Sequence, residues 1–378
     1  MNEYGFTWRT IAKMRILEVI PSFEPLGGAE NFVFNLSLAL SNAGAEVFVI
    51  SLYDIENSFI AENLKKNGIN IIYLSKRKGL DLKSARLFAQ KINSLKPDVV
   101  HLHLNSYLIG LPSMLARKSK FVYTFHTLIS HDTHGHKNNP SNLLIKFLIK
   151  KRYMFPVTIS DSIDDSFKSF FGDYKREIIY NGINTSTFSY NNNRIIEYTF
   201  ISVGSFNDIK NNLFMIKCVE RLIVEGYNIN YIVLGNGKNF EPCKSYCEQN
   251  GLNKRINLLG SVNNVEDYLS KAGCLLLASH WEGNPLVINE AIASGVWVVA
   301  NSVGGVKDLI DDTNGYLVIP ENESDFIDKM KAFITNERKI VDTIIPNNIE
   351  RNRNRVDMFN TCSKYLCLME KMVERGTK

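Results

Sequence analysis

Two glutamates with seven residues between them carry the clearest chemical signal in the chain: Trp281-Glu282-Gly283-Asn284-Pro285-Leu286-Val287-Ile288-Asn289-Glu290-Ala291. The run follows the strand-like apolar segment 274–278. Pro285 suits the first turn of a helix, which leaves Glu282 on the loop and Glu290 inside the helix. At a rise of ~1.5 Å per residue, the two carboxylates would stand roughly 12 Å apart. The carboxyl pairs of sugar hydrolases stand ~5–9.5 Å apart, so a joint hydrolytic pair is disfavoured. Two polar contacts to different parts of one elongated ligand fit better. Backbone N–H groups around residues 284–287 would add donors for its hydroxyls or phosphate.

Other candidates sit where strand-like runs end. Gly27-Gly28 precedes a helix-like stretch. Glycine there lets backbone approach an anion, and the helix dipole favours negative charge; a plain turn is the alternative. Lys210 follows the run 198–203 and can meet a diphosphate as a point charge or stay a solvated lysine. His126 follows 121–125, with a structural and a functional reading equally open. Gly235-Asn236-Gly237 lacks a third glycine and reads as a turn. No G-x-G-x-x-G follows the first strand, which counts against a dinucleotide-dependent dehydrogenase. His131, His134 and His136 fit no zinc spacing and read as a polar loop. No Asp-x-Asp occurs, which removes the usual ligand pair of metal-dependent sugar transferases.

These residues need elements to hold them. Short β-branched runs at 15–20, 47–52, 69–74, 99–102, 121–125 and 157–159 alternate with amphipathic stretches such as 29–43 and 81–95. A second set follows at 198–203, 230–234, 256–259, 274–278 and 296–300. The alternation implies α/β domains with parallel sheets covered on both faces. The polar stretch 189–197 is the expected linker. It separates an N-terminal domain, 14–188, from a C-terminal domain, 198–345, with an extension at 1–13 and a helical segment at 346–378. The length of 378 residues agrees with two domains.

Composition sets the outer limits. With 45% hydrophobic and 22% charged residues, the chain is neither disordered nor fibrous. No apolar run reaches the ~18 residues that span a bilayer, and 1–13 lacks the apolar core of a secretory signal. The net charge of +5 is too small and scattered to argue for nucleic acid. Six cysteines without paired zinc spacing suit reduced thiols in cytoplasm. The segment 143–152 reads as a helix with an apolar face and a basic end. Packing on its own domain is one reading; peripheral contact with the inner face of the cytoplasmic membrane is the other.

Glu282-x7-Glu290, taken in order with Gly27-Gly28, His126, Asn181-Gly182, Lys210-Asn211 and Gly304-Gly305, resembles glycosyltransferase family 4. The resemblance covers nearly the whole chain from Met14. It implies the GT-B architecture, two doubly wound Rossmann-like domains facing across a cleft, and a retaining transfer. The donor would be a UDP- or GDP-linked sugar, with no further cofactor and no metal. The acceptor would be a hydroxyl of a glycan or lipid-linked oligosaccharide, in assembly of a bacterial surface polysaccharide such as O-antigen, capsule or exopolysaccharide.

The resemblance also implies roles. Glu290 would hold the ribose hydroxyls, and Glu282 would face the transferred sugar. Gly283, Asn284, Pro285, Leu286 and Val287 would present backbone groups to the donor. Lys210 would neutralise the diphosphate, Gly27 and Gly28 would lie against it, and His126 would meet a donor-sugar hydroxyl near the reacting carbon. Ser205 departs from the family, which usually has an arginine there, so the diphosphate clamp is short of one cation. Two rival readings share these residues: a sugar-nucleotide 2-epimerase of the same architecture, and a non-catalytic sugar-nucleotide-binding subunit. Nucleoside diphosphate released only when acceptor is present separates the transferase from both.

Overall fold

A computed structural model of the chain describes residues 14–374 except 24–26, 55–58, 78, 80, 118, 130–138 and 193–194. The histidine run 131–136 therefore lies outside the described residues. The chain forms two compact units. One runs to Gly182 and takes back the segment from Met358; the other is Ile183–Asp357.

Among the described residues, the first unit holds a seven-stranded parallel sheet in the order β3-β2-β1-β4-β5-β6-β7. Its strands are β1 (Arg15–Ile20), β2 (Glu46–Ser51), β3 (Asn70–Tyr73), β4 (Val99–His103), β5 (Lys120–Phe125), β6 (Phe155–Thr158) and β7 (Glu177–Ile178). Between them run α1 (Gly28–Asn42), α2 (Phe59–Lys66), α3 (Leu82–Leu95), α4 (Tyr107–Leu115), α5 (Pro140–Lys150) and α6 (Asp161–Phe171). All five residues of β4 are buried, as expected of a strand covered on both faces. The strand order reverses between β1 and β4, which opens a crevice at their carboxyl ends where α/β sheets bind ligands.

The second unit repeats the plan with six strands, β10-β9-β8-β11-β12-β13. They are β8 (Tyr198–Val203), β9 (Tyr231–Leu234), β10 (Ile256–Gly260), β11 (Ala272–Leu277), β12 (Trp297–Asn301) and β13 (Gly315–Val318). Its helices are α7 (Asn212–Val224), α8 (Phe240–Gln249), α9 (Val265–Leu269), α10 (Leu286–Ala293), α11 (Glu323–Lys339) and α12 (Ile345–Val356). The reversal falls between β8 and β11, the strands that lead to Lys210 and Glu282. Phe200, Phe326, Phe333 and Trp297 fill its core. Each such ring removed from water contributes ~1.5–3 kcal/mol.

Three boundaries differ from the sequence reading. The division falls at Gly182, and the polar stretch 189–192 belongs to the second unit. Ile183 donates its N–H to Val356 at 2.9 Å, and the Arg353 guanidinium donates to the carbonyls of Thr185, Phe188 and Ala293. The Tyr190 ring packs against Gly295, where a Cβ would come within 2.4 Å of it. The C-terminal segment is also split. α12 belongs to the second unit, while α13 (Met358–Glu374) returns to the first, where Thr361 donates to the Tyr180 carbonyl at 3.0 Å.

Candidate active site

In the second unit the loops leaving β8 and β11 meet. His280 donates its N–H to the Ile209 carbonyl at 2.8 Å, which ties the two together. Lys210 Nζ then lies 2.5 Å from Glu282 Oε1, and Ser279 Oγ donates to the same oxygen at 2.7 Å. The structure thus brings together two residues that lie 72 positions apart. Glu282 is 8% exposed, while the Lys210 side chain keeps 23% of its surface in solvent. The carboxylate is fixed and the ammonium is accessible.

Glycines make this geometry possible. Gly304 takes φ +51°, and a Cβ there would sit 1.9 Å from the Glu282 carbonyl oxygen. Gly305 donates its N–H to that same oxygen at 3.1 Å. Gly304-Gly305 therefore grips the Glu282 backbone. At Gly235 a Cβ would stand 1.9 Å from the Gly204 carbonyl, so the turn also lets the β8 and β9 loops touch. Ser205 is exposed on that β8 loop.

Pro285 is the residue before α10, with extended backbone, so Leu286 and Val287 supply the first two N–H groups of the helix. These groups lie outside the helix's own hydrogen bonds. Gly283 and Asn284 are buried in the loop that leads to them. Glu290 follows in α10, half-buried. Burial, with a smaller push from the Glu266 charge, raises its carboxyl to about 7.

In the first unit, Gly27 stands at the N-terminus of α1 with extended backbone, and Gly28 opens the helix. An anion is already there, supplied by the chain. The Glu30 carboxylate accepts from the backbone N–H groups of Gly27 and Glu30, while burial pushes its pKa upward. His126 follows β5 and is half-buried, with Phe32 of α1 edge-on to its ring at 5.6 Å between centroids.

Behind His126 lies a cluster that sequence reading passed over. Glu18 of β1 and His101 of β4 are partners across the strand pair. His101 and His103 share a face of β4 by strand alternation. Glu18, His101 and His103 are all fully buried. His101 Nδ1 lies 3.2 Å from Glu18 Oε1, His103 Nε2 lies 2.7 Å from Oε2, and His103 Nδ1 lies 2.9 Å from His126 Nε2. Burial raises the Glu18 carboxyl, but the two imidazoles reverse this and bring it to about 2. His103 is lowered to about 4, first by burial and then by His101. His126 is lowered well below its ordinary value, first by burial and then by His103 and His101. Among the described residues this is the one group whose nitrogen and oxygen atoms converge as metal ligands would, within 4.8 Å. Its 2.7 Å contact is a hydrogen-bond length, below the roughly 3.3 Å edge implied by zinc bonds of ~2.0–2.1 Å. The signal for the cluster was the charge at Glu18 inside an apolar strand, together with the His-x-His of β4.

Comparisons with known proteins show the family and the fold. The family model "Glycosyltransferase Family 4" matches residues 26–187, and "Glycosyl transferases group 1" matches 191–351. A capsular polysaccharide biosynthesis glycosyltransferase of Staphylococcus aureus, CapH, is 31% identical over 255 residues, 64% of this chain and 69% of that one. An Escherichia coli UDP-Gal:alpha-D-GlcNAc-diphosphoundecaprenol alpha-1,3-galactosyltransferase is 25% identical over 308 residues, 73% of this chain and 75% of that one. Among solved structures, Anabaena HepE in complex with UDP and glucose superposes with a TM-score of 0.79 at 17% identity, over 95% of this chain and 100% of that one. At that identity the likeness speaks for the fold, which is GT-B.

Proposed function

Because the chain belongs to glycosyltransferase family 4, we propose that it moves a sugar from a nucleoside-diphosphate donor to a hydroxyl of a glycan or lipid-linked acceptor, retaining the anomeric configuration. The Lys210–Glu282 pair carries this reading: a buried, doubly held carboxylate beside an ammonium that can change partner.

As the sugar–phosphate bond lengthens, negative charge gathers on the departing diphosphate. Lys210 turns from Glu282 to meet it, joined by the N–H groups of Leu286 and Val287. Donors aimed at charge that grows in the transition state accelerate the chemical step. Glu282, still held by Ser279, then accepts from a hydroxyl of the transferred sugar. Glu290 accepts from the ribose hydroxyls. The acceptor oxygen attacks on the face the diphosphate leaves, and its proton passes to that diphosphate. No second nucleophilic carboxylate and no metal are required.

UDP is the first nucleotide to try, because HepE is solved with it. The named relatives support a role in surface-polysaccharide assembly, one of them on a diphosphoundecaprenol-linked sugar. Among the described residues no helix is long and apolar enough to cross a membrane. α5 suits peripheral contact: Ile145, Leu148 and Ile149 are buried, while Leu143 and Phe147 are exposed beside Lys146 and Lys150. A thermal-shift panel of UDP, GDP and ADP with their sugars, run in EDTA, tests the donor. A ligand at ~100 times its dissociation constant stabilises the fold by about 2.7 kcal/mol. No shift with any nucleotide would contradict the proposal.

A further inference from the structure

We propose that Glu18 and His103 are positioning residues that fix the protons of His126, so that its Nε2–H points inward and Nδ1 is left unprotonated as a hydrogen-bond acceptor. The role of His126 toward a donor sugar rests on the function proposed above; the proton placement does not.

The placement follows from one fixed acceptor. An ionised Glu18 has no proton to give, so the ring nitrogens facing it donate. His103 therefore carries its proton on Nε2, 2.7 Å from Glu18 Oε2. A neutral ring protonated there holds a lone pair on Nδ1. His126 Nε2, 2.9 Å from that lone pair, is then the donor. The backbone on which the ring stands is fixed too: the Ser106 hydroxyl accepts from the His103 N–H at 3.1 Å, at the turn Leu104–Ser106.

The far side of the carboxylate is closed in the same way. His101 Nδ1 faces Glu18, so it donates, and His101 Nε2 stands 2.8 Å from Thr124 Oγ1. Tyr365 Oη of α13 lies 2.9 Å from that hydroxyl. The donors that face the carboxylate are therefore His101 and His103, with His126 donating to His103 in turn, while Thr124 Oγ1 lies between His101 Nε2 and Tyr365 Oη. Phe32 holds the edges of both His103 and His126. Burial keeps His103 and His126 neutral, so His126 offers an acceptor to a sugar hydroxyl and no positive charge.

The test combines a spectrum with two substitutions. Long-range proton–nitrogen NMR of histidine-labelled protein, with His126 assigned by loss in His126→Gln, reads which ring nitrogen carries the proton. A protonated Nε2 and bare Nδ1 in wild type near neutral pH are expected; the opposite tautomer, or protons on both nitrogens, overturns the proposal. His103→Asn keeps an acceptor where Nδ1 stood, and His103→Phe keeps the ring shape but has no acceptor. A relay predicts that Asn retains more kcat, with Phe down by about 10- to 100-fold, the cost of losing an outer hydrogen-bond partner. Donor KM should change little. Mere packing predicts the reverse ranking, and Phe at or above Asn would overturn the proposal. If a variant does not fold, the wild-type spectrum still decides. His126→Ala with full activity would instead strike the donor-sugar role, leaving the tautomer result to stand on its own.

Discussion

Two buried carboxylates, Glu18 in the first unit and Glu282 in the second, face opposite tasks. Glu18 is fully buried, with a ring N–H group on each of its two oxygens. Glu282 has one partner of each kind: the Ser279 hydroxyl, which stays, and the Lys210 ammonium, which reaches solvent. The first arrangement fixes protons; the second stores a cation. A buried anion paired with fixed ring donors is a scaffold, whereas one paired with a movable charge can lend that charge to a ligand.

The largest expected effect separates lending from scaffolding. Lys210→Ala should lower kcat by roughly a hundredfold to a thousandfold, the loss of a preorganised donor worth ~2.7–4 kcal/mol. Donor KM should move far less, because the charge Lys210 meets grows as the sugar leaves. A variant that binds and turns over like wild type would make the ion pair merely structural.

The sealed site should show itself in acid. His103 sits at about 4 in the fold against an ordinary 6.5, so the folded state resists its protonation. The stability His103 contributes is complete above pH 6.5 and falls as pH drops toward about 4, by up to ~1.4 kcal/mol per pH unit. Glu18, lowered to about 2, adds a second loss between about 4.5 and 2. Urea unfolding at pH 7 and pH 5 checks the first window. His126, also lowered well below its ordinary value, loses stability in the same window, so His103→Asn should reduce the slope without abolishing it, and an unchanged slope would show that His103 is not a source.

Glu290 lies between the two cases, half-buried and, among the described residues, without an ion-pair partner. Glu290→Ala should weaken donor binding by roughly tenfold to a hundredfold, since hydrogen bonds to charged groups contribute ~1.5–3 kcal/mol. Wild-type affinity should also rise with pH up to about 7 and then level, because ribose hydroxyls select the ionised carboxylate. Calorimetry from pH 5.5 to 8.5 on both proteins reads this, at about one decade per pH unit at most. A rise that persists in Glu290→Ala belongs to another group.

The smallest effect concerns the outer face of α5. Lys150→Gln should weaken sedimentation with anionic vesicles by about 1 kcal/mol, near fivefold, without touching nucleotide binding. Wild-type protein that ignores such vesicles would leave the helix with only its packing role.

Sequence reading recovered the βα alternation because the runs of β-branched residues at 15–20, 99–102 and 198–203 have strand length and clear turn signals. It missed β7 and β13, which span two and four residues. The expected linker failed because polar composition says nothing of Tyr190, whose ring finds a partner in Gly295 only after folding. Glu282, Lys210 and Glu290 were legible as loop and helix positions at strand ends, and their motif spacing singled them out. The Glu18–His101–His103 cluster was not, because it depends on β1 and β4 being neighbours. Topology sets that pairing, and periodicity along one strand does not carry it. Glu30 escaped for a similar reason: its carboxylate folds back onto the site its own helix creates.

Transfer to an acceptor with Lys210 supporting the leaving diphosphate is tested most directly by nucleoside-diphosphate release from UDP- and GDP-sugars, with and without a diphosphoundecaprenol-linked sugar acceptor, for wild type and Lys210→Ala. Release that depends on the acceptor and nearly vanishes in the variant is the predicted result. Release or epimerisation of the sugar nucleotide without acceptor, at the same rate in both proteins, would contradict it.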